Sequence, residues 1–320
     1  MVPFENARAL TRSVNLSTLD RTNRWTLLAS TPSPSSINDQ VVAWGLDLHI
    51  GRMSTEEDSA THLYLDAIQR LILAVPYTNK CQHALNTILQ TSTLEQQSKF
   101  HAAKGGPFPY CRLTMCPACL TTTKQLLLHH VLAHNISGDW FEAGTWRGGQ
   151  SIMAAAVFLV HNALAHRKIL VADSFCGLPP PVHLEDVLDA VNQGLHAEKE
   201  HQVAVAVVEK NFQSILGANV TQQSVVFIPG FFNDSLPVFV SKSPRTQLSF
   251  LRLDGDMYQS TMDVLENMYF LVVVGGVVLV DDYNLDACRA AVTLFREKYR
   301  ITEDMVDIIG GGVYWIRSST

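Results

Sequence analysis

Four aspartates in two short clusters, Asp254-Gly255-Asp256 and Asp281-Asp282, are the residues of this 320-residue chain best suited to do chemistry. Each cluster follows an apolar run, Leu248–Leu253 and Gly276–Val280, that reads as a buried strand. If the two strands are neighbours, Asp254, Asp281 and Asp282 converge at the carboxyl edge of a sheet, where open α/β sheets bind ligands. Three carboxylates in a small volume repel one another, which favours a divalent cation. An all-oxygen donor set suits Mg2+, Mn2+ or Ca2+ better than zinc. Helix capping and turn formation would account for one such aspartate, but not for four at two strand ends.

A second chemical feature is Asp139–Gln150, read as Asp-Trp-Phe-Glu-Ala-Gly-Thr-Trp-Arg-Gly-Gly-Gln. The helix-like run Leu126–Ala133 precedes it and the Ala- and Met-rich run Ser151–Leu164 follows. A short strand, Asp139–Ala143, should therefore feed a tight loop, Gly144–Gln150, and then a helix. Glycine lets a ligand approach the backbone, and the free N–H groups of a helix start face it. The glycines do not give Gly-x-Gly-x-x-Gly, and Glu142 on the strand would repel a pyrophosphate. It suits a cation instead, such as the amino group of S-adenosylmethionine. The strand Lys168–Asp173 ends on an acid placed to accept hydrogen bonds from a ribose diol.

The elements that position these residues alternate strand and helix. Ala204–Leu216 reads as a helix, Ser224–Pro229 as a strand, Ser260–Leu271 and Asn284–Tyr299 as helices, and Met305–Ile309 with Val313–Arg317 as a closing hairpin. This order predicts an α/β fold with a doubly wound, mainly parallel sheet and antiparallel edge strands. Val182–His201 reads as a polar, flexible connection. Residues 1–54, which contain the breaker Thr31–Ser36 and a possible isolated strand Val41–His49, read as an arm-like extension. Residues 55–109 read as a helical cap, from Glu56 through Leu65, Ile68 and Ile72, then a second helix Asn79–Gln90 and a lid segment Thr93–Pro109. Residues 110–320 hold the chemistry.

Composition narrows the class. With 47% hydrophobic and 17% charged residues the chain can bury a sizeable core. A formal charge of −6 gives no footprint for nucleic acid. The longest apolar run, Met268–Val280, is too short to cross a bilayer. Six cysteines do not make a disulfide scaffold in a chain this long, which points to a reducing, cytoplasmic setting. Cys116-Pro117-Ala118-Cys119 lacks the second pair that structural zinc needs, so Cys111, Cys116 and Cys119 read as ordinary thiols.

Taken together, Gly138–Ser151 (GDWFEAGTWRGGQS), Val171–Pro181 (VADSFCGLPPP), Leu251–Thr261 (LRLDGDMYQST) and Gly275–Asn284 (GGVVLVDDYN) resemble the macrocin O-methyltransferase family. The likeness covers roughly residues 110–317, and Tyr64-Leu65-Asp66 resembles the family's N-terminal part. It implies a seven-stranded, Rossmann-like class I methyltransferase fold with helical N-terminal additions. It also implies S-adenosylmethionine as cofactor, Mg2+, and a hydroxyl of a sugar or other small natural product as acceptor. The cofactor-binding residues it implies are Thr114, Met115, Glu142, Gly144, Thr145, Arg147, Ser151, Asp173, Ser174, Gly230 and Phe232. Asp254, Asp281 and Asp282 match the metal ligands, while Asp256 or a histidine, His201 before His196, matches the base. Gln150 departs from the family pattern, Phe231 replaces a more usual Trp, and Val182–His201 follows it loosely where acceptor specificity is set. A homo-oligomer is compatible with the helical additions. A nicotinamide-dependent oxidoreductase would need the missing glycine fingerprint. A non-catalytic scaffold would have no reason to keep four repelling carboxylates.

Overall fold

In a computed structural model the chain is described over residues 56–73, 112–116, 118–193 and 201–318. The expectations for the extension, the helix Asn79–Gln90 and the lid segment lie outside the described residues. Helices α1 (Glu56–Ile72) and α2 (Ala118–Ala133) precede the first strand, β1 (Asp139–Ala143). Helix α3 (Gly149–Val160), β2 (Ile169–Asp173), α4 (Leu184–Gln193), α5 (Val205–Leu216) and α6 (Ala218–Ser224) follow. Then come β3 (Val225–Pro229), α7 (Phe232–Lys242), β4 (Leu248–Leu253), α8 (Tyr258–Met268) and β5 (Val272–Val280). Helix α9 (Asp286–Tyr299), β6 (Val306–Ile308) and β7 (Gly312–Ile316) close the chain.

The seven strands form one sheet in the order β3-β2-β1-β4-β5-β7-β6. The first five are parallel, and β7 and β6 run antiparallel, as the hairpin pattern predicts. The chain starts in the middle and reverses between β1 and β4, which makes that junction the switch point where ligands bind in open sheets. Side chains alternate between two buried faces. Trp140, Val171, Phe250 and Leu279 pack under α1, α2, α3 and α5, whereas Phe141, Leu170, Leu251 and Val280 pack under α7, α8 and α9. Both faces are covered, so the strands read as continuous apolar runs rather than as alternating ones.

Three local readings change. Strand β5 begins at Val272, not Gly276, because a bulge at Gly275-Gly276 sets two residues of β4 against five of β5. Val182–His201 is not all flexible polar chain: it contains α4, whose Asp186 and Asp189 are buried. Helices α6 and α7 stand where the sequence reading assigns no element, and Pro237 within α7 interrupts the periodic signal there. The cap helix α1 shares its core with the sheet, since Leu65, Ile68 and Ile72 are buried in the same cluster as Trp140 and Phe158.

Candidate active site

The strand ends meet as the parallel order requires. Glycine is obligatory at 144, where φ is 85° and an added Cβ would lie 1.7 Å from the Asp254 carbonyl oxygen. That close approach lets Asp254 N–H bond Ala143 O at 2.8 Å and places the β1 loop beside the β4 acids. Next along the edge, Asp281 N–H bonds Leu253 O at 2.9 Å. A cavity of about 670 Å3 opens here, within the range of small-molecule sites.

Among the residues expected from the sequence, Met115, Gly144, Asp173, Ser174, His201, Phe232, Asp254, Asp256, Asp281 and Asp282 line this cavity. Thr114, Glu142, Thr145, Arg147, Ser151 and Gly230 do not. Each of these makes hydrogen bonds within the scaffold. Glu142 is fully buried and accepts hydrogen bonds from Thr145 Oγ1 at 2.8 Å, from Ser151 Oγ and from the Arg252 guanidinium. The acid expected to meet a ligand's amino group therefore already has its cation inside the chain. Ser151 Oγ also accepts from Trp140 Nε1 at 2.8 Å. Thr114 Oγ1 accepts from Cys116 N–H and from Gln150 Nε2 at 2.9 Å, and the same amide nitrogen reaches Thr121 Oγ1. Gln150, a departure from the family pattern, thus ties the 112–116 segment and α2 to the start of α3. Arg147 donates to the Arg112 carbonyl at 2.9 Å and stacks on Trp146. Gly230 N–H bonds Asp173 O, keeping β3 in line with β2.

Asp173 organises the cofactor-side loop. One oxygen accepts from Thr145 and Trp146 N–H and the other from Phe175 N–H at 2.8 Å. Burial raises its pKa against these bonds. A carboxylate offers about four acceptor positions, so capacity remains for a hydroxyl from the cavity.

The acids at the β4 and β5 ends sit around two cations that the sequence reading did not single out. Arg252, 1% exposed near the carboxyl end of β4, pairs with Glu142, Asp254 and Asp281. Lys124, on the apolar helix α2 and 1% exposed, lies 2.6 Å from Asp281 Oδ2. A charged residue inside an apolar strand or helix was the available signal, because buried charges are kept only when paired. Cys116 is not an ordinary thiol at a helix mouth: its Sγ donates to Asp281 Oδ2 at 3.2 Å and accepts from Lys124 and Arg252. Burial and the Asp281 charge push this thiol up to about 12. The side chains of Cys111 and Cys119 lie outside the described ones.

The charges here do not balance. Five carboxylates, on Glu142, Asp254, Asp256, Asp281 and Asp282, gather about the two cations Arg252 and Lys124. Burial tends to raise Asp281, yet Arg252 and Lys124 hold it below the usual carboxylate range. Burial and then Asp254 raise Asp256 to about 7, and burial with Asp254 and Asp256 pushes Asp282 well above the usual range. Asp281 Oδ1 is buried without a hydrogen-bond partner. Surplus negative charge and an unpartnered buried carboxylate oxygen fit a divalent cation held by Asp254, Asp281 and Asp282. Asp256 adopts a left-handed φ of 59° and accommodates it as Asp can. His201 lines the cavity with Nδ1 buried and unpartnered, and His196 lies outside the described residues.

Helix α4 closes one side and supplies caps across space. Asp186 Oδ1 accepts from Tyr258 N–H at 2.7 Å and Asp189 Oδ2 from Ala287 N–H at 2.9 Å, at the starts of α8 and α9. Neither helix has a side-chain cap from its own N-cap residue.

A central-start parallel sheet, an antiparallel β7 inserted beside β5 and a cavity at the β1/β4 switch define a class I methyltransferase. The chain belongs to the macrocin-O-methyltransferase (TylF) family, whose sequence pattern matches residues 61–317, and it is accordingly an O-methyltransferase. It is 34% identical to the 8-demethyl-8-(2,3-dimethoxy-alpha-L-rhamnosyl)-tetracenomycin-C 4'-O-methyltransferase of Streptomyces olivaceus, over 81% of this chain and 94% of that one. The mycinamicin III 3''-O-methyltransferase of Micromonospora griseorubida is 31% identical, over 82% and 98% of the two chains. Among solved structures, the O-methyltransferase NovP superposes with a TM-score of 0.64 at 29% identity, over 81% of this chain and all of that one. No helix among the described residues is long and apolar enough to cross a membrane.

Proposed function

We propose that this enzyme transfers a methyl group from S-adenosylmethionine to a hydroxyl of a sugar borne by a small natural product, with a divalent cation, Mg2+ by preference, at the acceptor. The observation that carries the reading is a single cavity lined by Asp173 on one side and by Asp254, Asp256, Asp281 and Asp282 on the other. The names of the relatives, which include a rhamnosyl 4'-O-methyltransferase, support the acceptor class.

S-adenosylmethionine supplies the electrophilic methyl group, and a divalent cation lowers the pKa of a hydroxyl. The chain's residues would do the rest. Asp173 accepts hydrogen bonds from a ribose, while Met115, Gly144, Ser174 and Phe232 shape that wall. Asp254, Asp281 and Asp282 hold the cation. Asp256, on the same turn as Asp254 and on the cavity wall, takes the acceptor's proton as general base. His201 is the competing base. Helix α4 and the 178–182 loop wall off water, and holding the reactants aligned contributes most of the acceleration.

The test follows transfer of a labelled methyl group at saturating Mg2+. Asp256→Asn should lose activity at every metal concentration and His201→Ala should keep most of it; the opposite pattern moves the base to His201. Asp282→Asn should be partly rescued by excess Mg2+. Activity of Asp254, Asp281 and Asp282 variants in the presence of chelator would refute the cation's part.

A further inference from the structure

Helix α4 is amphipathic in the reverse sense to an ordinary surface helix. Its Asp186 and Asp189 are buried and cap α8 and α9, while Leu184, Val187 and Leu188, spaced i, i+3 and i+4, share the opposite, exposed face. Just before the helix His183 also turns inward, with its ring 4.3 Å from that of Tyr258 and Nε2 3.0 Å from Gln259 Oε1. Its neighbours Val182 and Leu184 are left outward, 81% and 68% exposed. A single exposed leucine means little, but a contiguous apolar strip marks a binding surface. This strip is continuous with the cavity, which Pro179, Pro180 and Val182 line. Prolines have a fixed φ and no N–H, so the rim is ordered and offers few donors to a polar ligand. Volume then says what the strip takes. Sites of roughly 300–1,000 Å3 hold one drug-sized molecule, and this cavity's 670 Å3 must admit both S-adenosylmethionine and an acceptor hydroxyl. The acceptor's sugar can reach the acids, but whatever carries that sugar must lie at the rim.

We propose that Pro179, Pro180 and Val182, continued outward by Leu184, Val187 and Leu188, form a subsite for the apolar aglycone of the acceptor, a flat aromatic or other hydrocarbon-rich ring system. The inference rests on the reading of the cavity as the site of S-adenosylmethionine and a sugar hydroxyl, and it names what the sugar is attached to. A ring laid against the strip removes apolar surface of both partners from water. The proline rim is already ordered, so it loses little freedom when the ring binds. His183, Asp186 and Asp189 hold the strip against α8 and α9 from behind. The subsite thereby selects acceptors by their aglycone and leaves the reacting hydroxyl to the acids.

The experiment uses the full chain saturated with S-adenosylhomocysteine, which fills the cofactor's part of the cavity. Naphthol, an apolar ring system without a sugar, is titrated in and followed by its fluorescence. The expected result is saturable binding at one site. Val182→Glu and Leu184→Glu should each weaken it at least ~10-fold, because a charge takes the place of apolar contact, and Leu188→Glu should weaken it less. Leu294→Glu, at another exposed leucine but on α9, should leave it unchanged. Thermal unfolding confirms that each variant is folded, as expected for substitutions at exposed positions. Absence of binding in the unaltered chain overturns the subsite, as does unchanged affinity in Val182→Glu and Leu184→Glu. Sedimentation that shows a dimer split by Leu184→Glu also overturns it and gives the strip to a second copy of the chain. Calorimetry with S-adenosylmethionine separates this inference from the reading beneath it. Binding of S-adenosylmethionine without binding of naphthol removes the subsite alone, and failure of S-adenosylmethionine to bind removes both.

Discussion

The two halves of the carboxyl edge are built on different principles. At the β1 and β2 ends each acid finds its partners within the chain. Asp173 receives three backbone N–H bonds, and Glu142 receives two hydroxyls and a guanidinium. At the β4 and β5 ends Asp254 and Asp281 pair with Arg252 and Asp281 also with Lys124, while burial and the neighbouring carboxylates raise Asp256 and Asp282. The first half is held in shape by directional hydrogen bonds, which favour a fixed geometry whatever the ligand. The second holds an excess of like charge that a multivalent cation offsets. Arg252 joins them, with Nη1 on Glu142 and Nη2 on Asp254 and Asp281.

The comparison breaks most visibly at that joint. Arg252→Met should cost about 3–5 kcal/mol of stability, because it strands buried carboxylates on both sides. Denaturant unfolding measures it, and a loss under about 1 kcal/mol would mean that the halves are not coupled through this residue.

Away from the carboxyl edge, the helical layer over the sheet holds a neutral imidazole in its core. His129 on α2 is 2% exposed, and burial, aided by the charges of His161 and His62, lowers its pKa to about 3. The unfolded chain therefore takes up a proton that the folded one refuses. Stability should be complete above the ordinary value of about 6.5 and fall by up to about 1.4 kcal/mol per pH unit as pH drops toward 3. Unfolding curves across this range should show the slope, and His129→Gln should flatten it; an unchanged slope would place the acid sensitivity elsewhere.

Cofactor affinity sharpens the contrast further. Asp173→Ala should weaken S-adenosylmethionine binding by ~1.5–3 kcal/mol, roughly ten- to hundredfold, in calorimetry. Asp282→Asn should leave it nearly untouched and affect divalent-ion binding instead. Equal losses in both variants would erase the division of labour.

The smallest effect concerns α4. Asp189→Ala removes the cap from α9 and should cost about 1 kcal/mol in thermal unfolding, with no change in cofactor affinity. A null result would leave α4 as a cover without a capping role.

Much of this is legible in the sequence. The strands, the Gly144 turn and the acids at strand ends follow from period and punctuation over a few residues. The cavity gathers Asp173 with Asp254, Asp256, Asp281 and Asp282, as their places at strand ends predict. Glu142 and Ser151 lie off the cavity with their side chains bonded within the chain, an orientation that their places in a motif do not show. Pro237 hid α7, and the polar look of residues 182–201 hid α4, whose aspartates are buried by helices that come much later in the chain.

What the sequence determined by itself was the set of elements and the end of each strand at which chemistry could sit, since backbone preference is decided by near neighbours. Which charges pair was decided only by tertiary structure. Glu142 stands opposite Arg252 because β1 and β4 lie in that register, although 110 positions separate them. Lys124 meets Asp281, 157 positions away, because α2 crosses over the end of β5. Cys116 acquires its surroundings in the same way. Electrostatic partnership depends on distance through space and on burial, and neither is written in any single stretch of the chain.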